Sequence, residues 1–98
     1  MATTQLRRYQ LPLDHADQDR WIEWWHGISA PRAQHGFTIL FAYLDRESGE
    51  FTWAVRHEAD DFDTAEAAYM ASPERAAVLD REHPEIAAAR VATVEVVA

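Results

Sequence analysis

Two residue types are missing outright: the 98-residue chain contains no cysteine and no lysine. Without cysteine, disulfides, thiolate nucleophiles and cysteine-ligated zinc are excluded, and stability must come from packing. Positive charge is scarce as well. Nine arginines stand against seventeen acidic residues, for a formal net charge of −8. So acidic a chain is a poor match for DNA, RNA or an anionic membrane surface, all of which select positive faces. Only three glycines occur, and none belongs to a phosphate-cradling loop, so nucleotide cofactors are disfavoured. No run approaches the ~20 apolar residues of a membrane helix. The N-terminal stretch through Arg20 holds no apolar signal segment. These absences lead to the expectation of a cytoplasmic protein with a single domain over residues 1–98, too short for a second core.

What remains is a folding chain. Nearly half of it, 48%, is hydrophobic, and four tryptophans are present. Gln5 to Leu11 reads as a strand ended by Pro12. Asp14, with Asp17 in the first turn, marks a helix start. That helix carries Trp21, Trp24, Trp25 and Ile28 on one stripe, is weakened at Gly27 and is expected to end at Pro31. Gly36 opens a strand through Leu44, Asp45 to Glu50 forms a hairpin loop, and Phe51 to Glu58 returns. Asp63 with Glu66 resembles a capping box for a helix through Tyr69. Ser72-Pro73 starts a second short helix, which His83-Pro84 stops. Valine-rich Val91 to Val97 is the last strand. The order β-α-β-β-α-α-β predicts an α+β, ferredoxin-like antiparallel sheet with helices on one face.

Side-chain alternation then sorts the two faces. Phe37, Ile39, Phe41 and Tyr43 share parity in one hairpin strand, as do Phe51, Trp53, Val55 and His57 in the other. These bulky residues are assigned to the helix side. The opposite face, with Leu40, Ala42, Leu44 and Ala54, and with Val94 and Val96 joining, is still apolar and has no helix to cover it. A bare patch of several hundred Å² signals an interface. At ~25 cal/mol per Å², hiding it would contribute on the order of ten kcal/mol before association costs. A sheet-to-sheet homodimer is therefore expected. Arg56, of opposite parity to His57, should point toward that face and pair with Glu58 or Glu95.

The chain resembles small bacterial NIPSNAP-type proteins of the dimeric α+β barrel superfamily. The likeness runs through Leu6-Arg7-Arg8-Tyr9, Trp21-Ile22-Glu23-Trp24-Trp25 and His35-Gly36-Phe37 into Phe41-Ala42-Tyr43. It continues in Phe51-Thr52-Trp53-Ala54-Val55-Arg56-His57 and in Ala68-Tyr69-Met70-Ala71-Ser72-Pro73-Glu74-Arg75. The resemblance implies the fold and the dimer. Relatives in the superfamily include cofactor-free quinone-forming monooxygenases, polyketide cyclases, muconolactone isomerases and haem-degrading enzymes, and no family motif designates a catalytic set.

Candidate chemistry therefore rests on single residues. His57, at the rim of the aromatic face, and His35, at the mouth of the second strand, are candidate acid/base groups; each has a plain alternative as a strand-end or loop histidine. His26, beside Trp25, reads first as a favourable charge at a helix C-terminus. Tyr69 could donate to an oxyanion or be an ordinary core tyrosine. Tyr43 and Trp53, with Trp21 or Trp25 above them, could line a slot for a planar ligand or simply fill the core. Trp24 and Trp25 diverge by about 100° on a helix, so one of them lies at a seam, in a pocket wall or in solvent. The histidines show no metal-ligand spacing, and Asp60-Asp61-Asp63 lacks the pattern of a calcium loop. No cofactor and no metal are expected, although a single axial histidine for haem needs no motif. The expected activity is cofactor-free cyclisation, isomerisation or oxygenation of a small aromatic or hydrophobic, polyketide-like ligand. The alternatives are a non-catalytic binding protein and a purely structural dimer.

Overall fold

A computed structural model describes residues 2–59, 61–79 and 86–97. The elements follow the expected order: β1 (Thr3–Gln10), α1 (His15–Gln34), β2 (Phe37–Asp45), β3 (Glu50–His57), α2 (Phe62–Met70), α3 (Pro73–Leu79) and β4 (Ala88–Val94). The four strands form one sheet in the order β2-β3-β1-β4, and every neighbouring pair is antiparallel. The fold is thus α+β and ferredoxin-like. The expected helix stop at His83-Pro84 lies outside the described residues, as does Asp60.

Local chemistry sets the helix starts. Asp14 caps α1 by accepting from the Asp17 amide at 3.1 Å, and the Ser72 hydroxyl accepts from the Arg75 amide at the start of α3. The start of α2 differs from expectation. Asp61 is the cap, accepting from the Thr64 amide and hydroxyl, so Glu66 is not spent on capping. The end of α1 differs too, because the helix runs through Pro31 to Gln34. Proline lacks an N–H and crowds the carbonyl four residues back. That residue is Gly27, the one with the widest choice of backbone geometry. The neighbouring Ile28 carbonyl accepts from the Tyr69 hydroxyl at 2.7 Å, so α2 supplies a donor in the turn that proline loosens. The last strand begins and ends three residues earlier than its valines suggest. Pairing with β1, from Gln10↔Ala88 to Thr4↔Val94, fixes its extent, and Val96 and Val97 lie beyond it, exposed.

The core sits between α1, α2 and one face of the sheet. Trp21, Trp25, Phe51, Trp53, Val55, Phe62 and Tyr69 are all buried there. Gln18 is buried as well, and its amide ties the helix to the Pro12 and Arg46 carbonyls at 3.0 and 3.2 Å.

One irregularity overturns part of the expected face assignment. A β-bulge lies between Ile39 and Phe41: Ile39 pairs with Val55, but Phe41 pairs with Ala54 and Ala42 with Trp53. A residue inserted into one strand flips every side chain beyond it. Phe41 and Tyr43, expected beside Trp53 on the helix side, therefore face the other way, while Ala42 and Leu44 take the inner places. Tyr43 is 55% exposed and stacks on Phe41 at 5.8 Å. Arg56 reaches the same outer face and pairs with Glu58 at 3.0 Å, an exposed ion pair.

Candidate functional site: a cationic, aromatic cavity

A cavity of about 170 Å³ lies between the sheet and the helices. Its floor is Arg7 and Tyr9 of β1 with Trp53 of β3. Trp21, Trp24, Ile28 and Arg32 of α1 form one wall; Tyr69, Met70, Arg75 and Ile86 close the rest. Strand alternation places Arg7 and Tyr9 inward, since they pair with Trp53 and Phe51. Helical spacing stacks Trp21, Ile28 and Arg32 on one stripe of α1.

The polar centre is an ion-pair triad. Arg32, 3% exposed, holds Glu66 through two hydrogen bonds of 2.8 and 2.9 Å. Arg7 approaches the same carboxylate at 3.0 Å. Burial alone would raise the Glu66 pKa. The Arg32 hydrogen bonds and charge, followed by those of Arg7, outweigh that effect and hold it at about 2. The guanidiniums also lie over aromatic rings: Arg32 is 4.4 Å from the Tyr69 centroid, and Arg7 is 5.2 Å from that of Trp53. Burial raises the Tyr69 pKa, against the opposing charges of Arg32 and Arg75.

The expected site residues separate into distinct places. Trp21, Trp53 and Tyr69 line the cavity. Trp24 is the member of the adjacent pair in the cavity wall, whereas Trp25 packs in the core against Phe51 and Trp53 at 5.4 and 5.6 Å. Tyr43 lies on the opposite face of the sheet. His57 and His35 are not among the lining residues. The His57 Nδ1 accepts from the Ala59 amide at 2.9 Å, so Nε2 carries the proton and donates to the His35 carbonyl at 2.9 Å. His35 itself lies 3.5 Å from Glu74 and edge-on to Tyr69. Among the described residues, no group of three or more potential ligands could hold a metal ion.

Gly36 shows how tightly the His57 linkage is built. Its φ is +84°, and a Cβ there would lie 2.9 Å from His57 Nε2. Gly36→Ala should lower stability by roughly 1–3 kcal/mol, through backbone strain and displacement of the imidazole. Thermal unfolding of the variant checks this; an unchanged midpoint would contradict it.

Arg7, Arg32, Glu66 and Arg75 were missing from the sequence-based candidates. Two signals point to the first two of them. Arg7 shares strand parity with Tyr9, and Arg32 continues the Trp21, Trp25, Ile28 stripe once the helix is allowed to pass Pro31.

An antiparallel sheet with helices on one side and a cavity between the layers defines a small α+β sandwich. Its fold is that of NIPSNAP-family structures and of antibiotic biosynthesis monooxygenase-like structures. A NIPSNAP family protein from Agrobacterium tumefaciens superposes with a TM-score of 0.75 at 14% identity, over 95% of this chain and 86% of that one. A NIPSNAP-like domain protein from Burkholderia xenovorans gives 0.72 at 16%, over 98% and 85%. An antibiotic biosynthesis monooxygenase gives 0.61 at 16%, covering all of both chains. No protein-family model and no curated protein matches the sequence. No helix among the described residues is long and apolar enough to cross a membrane.

Proposed function

We propose that this chain is a homodimeric small-molecule-binding protein that holds an aromatic ligand between its sheet and helices. The observation that carries this reading is the cavity of about 170 Å³ walled by Trp21, Trp24, Trp53 and Tyr69. An apolar cavity of about 150 Å³ accepts a benzene molecule, so the space suits one aromatic ring better than a fused polyketide skeleton. The dimer reading rests on the outer face, where Leu40, Phe41 and Tyr43 are 39%, 44% and 55% exposed.

A second reading, cofactor-free catalysis, draws on the fold shared with an antibiotic biosynthesis monooxygenase. Among the described lining residues the groups able to exchange a proton are the Tyr9 and Tyr69 hydroxyls. Acid/base chemistry by His57 or His35 would require rearranging the hydrogen bonds that now engage His57.

Titration of isotope-labelled protein with benzyl alcohol, a neutral single-ring probe, tests the binding reading. The indole N–H signals of Trp21, Trp24 and Trp53 should shift more than that of Trp25. Absence of any saturable shift, with this probe and with an anionic single-ring counterpart alike, would overturn it.

A further inference from the structure

The cavity is lined by cations in a chain that is otherwise acidic. Three of the nine arginines, Arg7, Arg32 and Arg75, line it. One carboxylate, Glu66, is shared by Arg7 and Arg32. Three positive charges against one negative charge leave a surplus of two. Arg75 has no ion-pair partner among the described residues, and it is half-buried. A guanidinium in such a setting is a planar donor fork without its acceptor.

The hydrogen-bonding balance has the same sign. The buried Nε groups of Arg7 and Arg32 and the indole N–H of Trp53 have no hydrogen-bond partner among the described residues. All three are donors on cavity-lining residues. A buried donor without an acceptor carries an unrecovered desolvation cost, and a ligand supplying an anionic oxygen removes it. A neutral hydrocarbon would leave both the charge surplus and these donors unanswered.

Building on the reading of the cavity as a ligand site, we infer that its ligand is a single-ring aromatic carboxylate. The ring lies among Trp21, Trp24 and Trp53, and the carboxylate faces Arg75 beside the Arg7–Glu66–Arg32 triad. Size sets the single ring, and the surplus cation sets the anion.

Sodium benzoate and benzyl alcohol, which match in ring and differ in charge, provide the test. Both are titrated by calorimetry and by the tryptophan indole signals. Benzoate should bind about tenfold more tightly or better, the effect of one charge-assisted contact. Arg75→Gln should remove about tenfold of benzoate affinity and leave that of benzyl alcohol within about twofold. Arg46→Gln, which removes an exposed arginine paired with Asp19 outside the cavity, should leave benzoate affinity within about twofold, separating local recognition from overall charge. Equal affinity for the two probes would overturn the anionic class while leaving the ligand-site reading intact. An Arg75→Gln protein that binds benzoate as the parent does would also overturn it. If neither probe moves any indole signal, the ligand-site reading falls and this inference falls with it.

Discussion

Glu66→Gln should lower the unfolding free energy by roughly 3 kcal/mol, because a buried guanidinium left without its carboxylate is far costlier than the pair is valuable. Arg32 is 3% exposed and donates both of its strong hydrogen bonds to this one side chain. Glutamine keeps the shape but offers one acceptor oxygen and no charge to two arginines. For a domain of this size the loss is a large fraction of total stability, and urea unfolding at neutral pH should show it as a lower midpoint. Adding Arg32→Met should recover part of it, since only the less deeply buried Arg7 then remains opposite the neutral amide.

The same carboxylate sets an acid limb. Its pKa is held at about 2, below the ordinary value of 4.5. A group whose folded pKa is depressed contributes stability above the unfolded value and loses it as pH falls toward the folded one. The parent protein should therefore lose this contribution between about pH 4.5 and pH 2. The Glu66→Gln variant should lack this component of the acid dependence. Parallel acid limbs in the two proteins would contradict the triad's role.

The sequence made the element order legible because each start carries its own chemistry. Asp14 and Ser72 are helix caps with side-chain oxygens, and Gly49, at φ +76°, turns the hairpin within the loop expected over Asp45 to Glu50. Misreadings arose where tertiary contacts override local rules. Pro31 reads as a stop, yet the Trp21–Arg32 stripe gains enough from burial to keep the helix going. Glu66 reads as a cap partner, and only the fold brings it to Arg32, 34 residues away along the chain, and to Arg7, 59 away. The bulge at Leu40 left no mark in a continuous run of strand-forming residues, so alternation counted from Phe37 assigned Phe41 and Tyr43 to the wrong face. The cavity followed the same pattern. Its tryptophans were visible as aromatics, whereas its cations were hidden among arginines that look like surface residues until their strand or helix phase is known.

The bulge also concentrates aromatic surface where the dimer is proposed, and this leads to the largest expected change in assembly. Phe41→Asp should convert the homodimer to a monomer. Phe41 and Tyr43 stack on the outer face, while the smaller Thr52 and Ala54 beside them are flanked in register by Arg8 and Leu6. In a two-fold interface each residue of the patch is presented by both copies, so one substitution introduces two carboxylates at the seam. Each would lose hydration without gaining an assured partner, at a cost of several kcal/mol, enough to weaken association by more than about a thousandfold. Arg8 and Arg90 lie directly opposite each other across β1 and β4 on that face. Like charges in that position are destabilising, and carboxylates from a second copy would relieve them. Sedimentation at micromolar concentration should find the parent at twice the 11.2 kDa chain mass and Phe41→Asp at the chain mass itself. Circular dichroism should show the variant still folded, because Phe41 is 44% exposed in the single subunit and contributes little to its core. A parent protein that sediments as a single chain would remove the basis for the dimer, while the cavity and its cations, built within one subunit, would stand.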